Sequence, residues 1–510
     1  MATAADWQDE LRRWLGPFLS HLGHKARRRM CPLYVAGLIG PGERKSVQPM
    51  ASRTPAAEYD QLHHFVGAGI WDEAPLEREL IVQADRLVGG TDAVLVIDDT
   101  ALPKKGKHSV GVAPQYATVL GKQANCQTLV SLTLARREVP VPLALRLYLP
   151  EVWTEDPARL AKAGVPEPAQ RHRSKSEIAL AELDRVLGAE VRFGVVLADA
   201  AYGSSSGFRH ALSERGLTWA VGIPRTQKVY SLEVGLTWPV APRGRPRQRP
   251  VPDIRPIAAH EMLGLQRWRT VTWRRGTKGP LRASFAAVRV RVADGTPTRA
   301  GERSHQHLPG NEEVWLVGER RSTGEHKYYL SNLPTETPLK ILATTIKARW
   351  LCEQAHQQLK EELGLDHFEG RSWSGLHRHA LMSMIAFLYL QHRRLEAAKR
   401  GKKQDRPAAS AEPTRDTHRH HRVLQSRPLP TMSLQAQELA TAARGQSTKV
   451  VLVWASQQCA SGGRIFMMAF LEVLSHQQFS VAHLHQHCCC CFGFKVGRCL
   501  LRRKRLLSGE

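Results

Sequence analysis

Three acidic residues that lie far apart in the sequence occupy positions where a carboxylate could do chemistry. Asp98, followed by Asp99, ends the apolar run AVLVIDD, Asp199 ends the apolar part of VRFGVVLADAAYG, and Glu353 lies in a stretch rich in basic residues. Carboxylates that converge on one point repel each other unless cations share the site. Two divalent ions about 4 Å apart meet this need in phosphoryl transfer, and carboxylate and water ligands suit Mg²⁺ or Mn²⁺.

The residues around Glu353 predict a helix over residues 341–364, ILATTIKARWLCEQAHQQLKEELG. At about 100° per residue, Arg349, Glu353 and Lys360 fall within roughly a 40° arc, opposite an apolar side. Gly364 is a typical helix stop. A carboxylate between two cations suits a place where a metal ion meets a polyanion. A solvated helix surface with salt bridges is the other interpretation of this pattern.

Both aspartates also have a purely structural interpretation, because an Asp at a strand end is typical of a turn or a helix cap. Asp98, Asp99 and Thr100 could form an Asx-type turn, and Asp199 could cap the helix that follows. The choice between Asp98 and Asp99 stays open. We favour Asp98, which shares strand parity with Val96.

The order of predicted elements determines where these acids should lie. After a helical region, the chain predicts strand, strand, strand, helix, strand, helix, strand. This order is typical of an α/β fold, a mixed sheet covered by helices, and open α/β sheets place their sites at strand ends. The strands are AVLVIDD, QTLVSLTLA, VPLALRLYL, VRFGVVLA and LTWAVGI, and the helices are KSEIALAELDRVL and SSSGFRHALSERG.

The charge of the chain indicates the kind of partner. Lys and Arg number 73 against 47 Asp and Glu, a net charge of +26, which favours nucleic acid over other partners. Lys104, Lys105 and Lys107 lie in one loop, where they either track a DNA backbone or form a solvated turn. No apolar run reaches about 18 residues, so no membrane span is expected. We expect a cytoplasmic, nucleoid-associated protein.

Six longer stretches carry a family resemblance. In these stretches the chain resembles the IS4-like group of DDE transposases, which have an RNase H-like core. Within that group it is most similar to the IS701 family of insertion-sequence transposases. The stretches are PGERKSVQPMA (41–51), VIDDTALPKKGKHSVGV (96–112), GKQANCQ (121–127), RLYLPEVWTEDPARLAKAGVP (146–166), VLADAAYG (196–203) and LKEELGLDHFEGRSW (359–373).

The resemblance implies metal-dependent cleavage of the ends of an insertion sequence and strand transfer into target DNA. It implies two Mg²⁺ (or Mn²⁺) ions, terminal inverted repeats and target DNA as partners, and a homo-oligomer in the synaptic complex. The family signature Tyr-x2-Arg-x3-Glu-x6-Lys places phosphate-holding roles on Arg349 and Lys360. This chain has Ile346 at the position where the family has Tyr. The catalytic, metal-binding residues implied are Asp98, Asp199 and Glu353.

Composition and resemblance together divide the chain. Residues 1–90 are expected to be a helical DNA-binding domain, or a helical cap on the catalytic core. Residues 91–398 are expected to be the catalytic domain, with 224–330 as a mainly β insertion. A polar linker (399–424) and an atypical tail (425–510) follow, and the tail suggests a frameshift or disorder. The tail leaves an alternative function, an inactive or domesticated copy that binds DNA without catalysis. A nuclease or resolvase without strand transfer is a third.

Overall fold

Five strands from the middle of the chain form the centre of a mixed sheet in the computed structural model. β1 pairs antiparallel with β3 and parallel with β5, β3 pairs antiparallel with β4, and β5 pairs parallel with β6. These are the five strands that the apolar runs predict, and they follow one another in the predicted order. Their bounds are β1 Val94–Pro103, β3 Lys122–Arg136, β4 Val139–Tyr148, β5 Val195–Ala198 and β6 Trp219–Ile223.

The structure describes residues 4–54, 56–117, 120–238, 250–276, 279–297 and 307–404, and the short ranges 450–457 and 466–473. The chain divides into two units, residues 1–413 and 414–510. In the second unit, β15 pairs antiparallel with β16. Most of the predicted linker and tail lies outside the described residues. These two strands are β15 Val450–Gln457 and β16 Phe466–Val473.

Helices flank the central strands. The predicted helix between β4 and β5 begins at Ser174, whose side chain accepts a hydrogen bond from the backbone N–H of Glu177 while Glu177 caps in return. The fold class is confirmed as α/β, a mixed sheet flanked by helices, consistent with an RNase H-like core. The flanking helices are α7 Glu151–Thr154, α8 Pro157–Ala163, α9 Lys175–Gly188, α10 Ala200–Gly203 and α11 Ser206–Glu214.

The predicted β insertion extends the central sheet. β14 pairs antiparallel with β6, followed outward by β13 and β12, so that within the described residues twelve strands form one sheet. The prediction omitted β2 (Ala113–Ala117), which pairs with β3. The insertion contains β7 Lys228–Tyr230, β8 Leu236–Thr237, β9 Val251–Pro252, β10 Ile257–Ala258, α12 Ala259–Gly264, β11 Arg269–Gly276, β12 Gly279–Val292, β13 Glu313–Arg320 and β14 His326–Ser331.

The predicted N-terminal helices pack on the same hydrophobic core as the sheet and the long helix α15 (Trp373–Gln404). Leu38 and Leu80 from this region are buried in one cluster with Leu145 and Ile385. The helices therefore cap the core, and DNA binding by residues 1–90 stays a prediction. They are α1 Ala4–Trp14, α2 Gly16–Ser20, α3 Lys25–Ile39, α4 Val47–Ser52, α5 Tyr59–His63 and α6 Ala74–Val88, with a π-helical turn at His64–Ala68.

The prediction of one continuous helix over residues 341–364 is wrong. The stretch forms two helices, which break at Arg349. The physical reason is that the buried side chains face two clusters in turn: Ile346 and Cys352 pack in a smaller cluster, whereas Ala355 and Leu359 pack in the main core. The helices are α13 Leu339–Lys347 and α14 Trp350–Glu361.

α15 is long, but no described helix combines the length and apolar character that a membrane span requires.

A close approach of α10 to β6 allows a test of the fold. A Cβ on Gly203 would lie 2.1 Å from the carbonyl oxygen of Gly222, whereas a Cβ on Gly207 meets only Ser205 Oγ at 3.8 Å. We therefore expect Gly203→Ala to lower the free energy of unfolding by about 2–3 kcal/mol. Gly207→Ala, within α11, should be neutral or stabilise by up to about 1 kcal/mol. Urea unfolding of both variants measures the difference, and equal midpoints would contradict the packing described.

Candidate active site

Two of the three predicted acids lie side by side at the end of two parallel strands. The parallel ladder between β1 and β5 ends with Ile97 opposite Ala198, so the next residues, Asp98 and Asp199, are neighbours across the sheet. Adjacent strands lie about 4.8 Å apart. Asp98 is only 8% exposed. The strand register therefore brings two carboxylates together in a poorly solvated place.

Burial and mutual proximity change the acidity of both groups. Burial raises the pKa of Asp98 to about 7, with a further increase from the charge of Asp199, while the Arg349 guanidinium opposes the shift. Burial also raises the pKa of Asp199, with Asp99 adding to the increase and Arg349 opposing it. An extra positive charge at this edge would stabilise both ionised carboxylates.

Asp199 has the structural role that its sequence position suggests, that of a helix cap. Its Oδ1 accepts hydrogen bonds from the backbone N–H groups of Ala201 at 2.9 Å and Tyr202 at 3.4 Å, so it caps α10. These bonds fix the orientation of the carboxylate and occupy one of its two oxygens. The helix cap therefore positions Asp199 beside Asp98.

Arg349 joins the third predicted acid to the first. Its guanidinium donates one hydrogen bond to Asp98 Oδ2 and another to Glu353 Oε1. Glu353, on the first turn of α14, has a side chain that is 58% exposed. Lys360 lies two turns further along α14, and burial lowers its pKa. Within the part of the chain that the structure describes, the Lys360 ammonium has no hydrogen-bond or ion-pair partner.

Asp99 is engaged by other residues. It accepts a hydrogen bond from the Tyr202 hydroxyl and forms an ion pair with Lys175 at the start of α9. Asp98, by contrast, pairs with Arg349. Strand alternation directs neighbouring side chains to opposite faces, which explains why these consecutive aspartates meet different partners. Tyr202 and Lys175 were absent from the sequence prediction, although Tyr202 lies in the matched stretch VLADAAYG.

A buried polar network lies behind Asp98. The Ser131 hydroxyl donates to the backbone oxygen of Asp98 at 3.0 Å, and His356 Nε2 lies 2.8 Å from the same hydroxyl. Burial lowers the pKa of His356 to about 3, so the ring is neutral, and Nε2 carries the proton that Ser131 accepts. The network ties α14 to β1 and β3. The only feature of the sequence that could have indicated this network is His356, a histidine on the apolar side of α14.

The predicted basic loop after β1 is only partly available to a ligand. The Lys104 ammonium donates to the backbone oxygens of Asp366 at 2.9 Å and Phe368 at 2.8 Å. A phosphate would have to replace these bonds. Lys105 and Lys107 are exposed. The loop therefore offers two solvent-accessible cations near the end of β1.

The donor set fits a hard divalent ion, because all three predicted ligands are carboxylates. Over the described ranges, however, no group of three His, Cys, Asp or Glu residues is close enough to hold a metal ion. Arg349 lies between Asp98 and Glu353 and supplies the positive charge there. A metal site on these three carboxylates would require the guanidinium to leave this position.

Comparison with known proteins shows the family to which the chain belongs. The family model described as DDE superfamily endonuclease matches residues 17–280, more than half of the chain. The matched region includes Asp98 and Asp199 and ends before Glu353. The chain is also 31% identical over 191 residues to the "Probable transposase for insertion sequence element IS701" of Microchaete diplosiphon. This match covers 37% of the chain and 46% of the relative, about half the relative's length.

The raised pKa of Asp98 predicts an unusual effect on stability. Its folded-state pKa of about 7 exceeds the ordinary 3.8, so the unfolded chain releases the proton first. Stability should therefore fall as the pH rises from about 4 to about 7. We expect Asp98→Asn to raise the free energy of unfolding by about 1–3 kcal/mol at pH 8, with little change at pH 4. Urea unfolding in the presence of a chelator measures it.

Asp99→Asn is the matched control for Asp98→Asn. It weakens the contacts with Tyr202 and Lys175 and should lower stability by about 1 kcal/mol at pH 8. If both variants shift stability in the same direction, the different environments of the two aspartates are incorrectly assigned.

Proposed function

We propose that this protein, which belongs to the DDE superfamily of endonucleases, is a transposase that cuts the ends of its element and joins them to target DNA. The observation that carries the proposal is the placement of Asp98 beside Asp199, with Glu353 connected to Asp98 through Arg349. The likeness to a protein named as a probable transposase of an insertion sequence supports it.

We assign Asp98, Asp199 and Glu353 as ligands of two Mg²⁺ or Mn²⁺ ions. Bound ions would lower the pKa of the attacking water or 3′-hydroxyl and stabilise the leaving oxygen. Asp98 is favoured over Asp99 as the first acid, because the Asp99 carboxylate is engaged by Tyr202 and Lys175. The hydrogen bonds from the backbone to Asp199 and from Ser131 to Asp98 hold both acids in place.

Arg349 has a second proposed role, at the phosphate beside the scissile bond. Its guanidinium presents several donors in a planar fork that suits phosphate as well as carboxylate. When metal ions and DNA occupy the site, the guanidinium exchanges its carboxylate partners for a phosphate. Lys360, whose ammonium has no partner in the described chain, holds a neighbouring phosphate.

DNA is the proposed partner, supported by the net charge of +26 and by the family. Lys105 and Lys107 are exposed and available for the DNA backbone. Binding of the terminal inverted repeats by residues 1–90, a homo-oligomeric synaptic complex and a location at the nucleoid belong to the same proposal.

End cleavage tests the proposal directly. The full chain with Mg²⁺ and DNA carrying both sequences that flank the gene should yield cut and joined products. Asp199→Asn keeps an oxygen to cap α10 but loses the charge, and we expect it and Glu353→Gln to abolish both products while DNA binding remains. Glu361→Gln, an exposed acid on the same helix, should cut like the wild type. Cutting without joining would indicate a nuclease, and DNA binding alone would indicate a non-catalytic copy.

The bridging position of Arg349 predicts how the DNA-free protein binds metal. Removing the guanidinium leaves Asp98 and Glu353 without their positive partner, so we expect Arg349→Ala to bind Mn²⁺ about tenfold more tightly in calorimetric titrations without DNA. Cleavage should fall in the same variant. Arg274, whose guanidinium stacks 4.0 Å over the Trp350 ring, is the control, and Arg274→Ala should leave Mn²⁺ affinity unchanged. Unchanged affinity in Arg349→Ala would contradict the exchange.

A further inference from the structure

A cavity of about 670 Å³ opens directly beside the candidate active site. Asp199 and Arg349 line one side of it. Its other walls come from residues 222–225, at the end of β6, and residues 324–329, in the turn before β14 and its first half. Because β6 is parallel to β5, these walls continue the same sheet edge that carries Asp199.

The outer wall of the cavity carries basic residues that no catalytic assignment uses. Arg225 and His326 are exposed, and neither side chain has an ion-pair partner in the described chain. Lys327 contacts Glu325 at 3.3 Å, so its charge is partly neutralised. Arg225 is therefore the strongest unneutralised anion-binding group on this wall.

The backbone at Arg225 is fixed although its side chain is exposed. Its carbonyl oxygen accepts a hydrogen bond from the backbone N–H of His260 at 3.2 Å, and His260 Nδ1 lies 2.9 Å from the same oxygen. On the neighbouring strand β14, the Tyr329 hydroxyl donates to buried Glu319 at 2.9 Å. Fixed walls favour a binding site that is formed before its ligand arrives.

The size and chemistry of the cavity select its ligand. A volume of about 670 Å³ falls within the range of pockets that enclose small ligands, and it is large enough for one nucleotide of a single strand. Half-buried Tyr328 adds an aromatic side chain to the lining, and aromatic side chains stack with bases of any sequence. The combination of an unpaired guanidinium and an aromatic ring suits single-stranded DNA.

We propose that this cavity binds the single-stranded nucleotide that adjoins the scissile phosphate, with Arg225 holding its phosphate and Tyr328 contacting its base. This assignment rests on the proposed transposase function and adds a binding site to it. The cavity keeps the strand in line with Asp98 and Asp199 after the duplex opens. Arg225 and Tyr328 act in positioning and not in catalysis.

Binding without catalysis tests the assignment. The full chain is titrated, in a chelator, against a short fluorescein-labelled single-stranded oligonucleotide and against a blunt duplex of the same sequence. We expect Arg225→Ala to weaken single-strand binding roughly tenfold and to reduce the slope of log K against log salt by about 0.7. Duplex binding should change less than about twofold. Arg225→Lys keeps the charge and should restore the salt slope.

Arg267 supplies the matched control, since it is an exposed arginine of the same insertion that does not line the cavity. Arg267→Ala should leave both affinities within about twofold of the wild type. Equal losses in Arg225→Ala and Arg267→Ala, or equal losses for single strand and duplex, would overturn the assignment. Because Arg225 is exposed, the unfolding midpoint of Arg225→Ala should match that of the wild type.

The same titrations separate failure of this assignment from failure of the proposed function. If the wild type cuts the element ends but Arg225→Ala binds single strands normally, the cavity assignment is wrong and the transposase proposal still holds. If the wild type does not cut the element ends but its single-strand binding depends on Arg225, the transposase proposal is wrong and the cavity is supported as a nucleic-acid binding site.

Discussion

Repulsion between two carboxylates, held together by the sheet, is the constraint on which the rest of the site depends. The parallel pairing of β1 with β5 leaves Asp98 and Asp199 adjacent, and burial prevents water from screening their charges. Positive charge must come from elsewhere. In this structure Arg349 provides it, and the proposed divalent ions would take over this role. Without a positive charge nearby, the two adjacent carboxylates would lower the stability of the fold. Such a cost is typical of residues that serve a function at the expense of stability.

The break between α13 and α14 lies where the buried side chains change from one hydrophobic cluster to another. Ile346 and Cys352 pack in the smaller cluster, whereas Leu359, further along α14, packs in the main core. Arg349 lies at the break, where its guanidinium contacts Asp98. The candidate active site is thus placed where the two packing surfaces meet.

The sequence was sufficient to predict the features that depend on local pattern. Apolar runs that end in Asp defined β1 and β5, and helical periodicity placed Glu353 and Lys360 on one side of α14. The break at Arg349 could not be predicted, because it depends on which hydrophobic cluster each buried side chain joins in the folded chain. The Ser131–His356 bond depends on packing across 225 positions and gave an equally weak signal. Short β2 lacks an apolar run, so periodicity could not reveal it.

The β insertion shows why the local sequence pattern could not predict the whole site. Its strands were expected from their composition, yet their effect comes from where they pair. With β14 beside β6, the sheet edge that carries Asp199 gains a second wall, and a cavity lined by Arg225 and Arg349 forms between them. If the insertion had folded as a separate sheet, the acids would stand at an open edge. Because it continues the sheet, Asp199, Arg349 and Arg225 line one cavity, and the proposed catalytic residues share a surface with the proposed strand-binding residues.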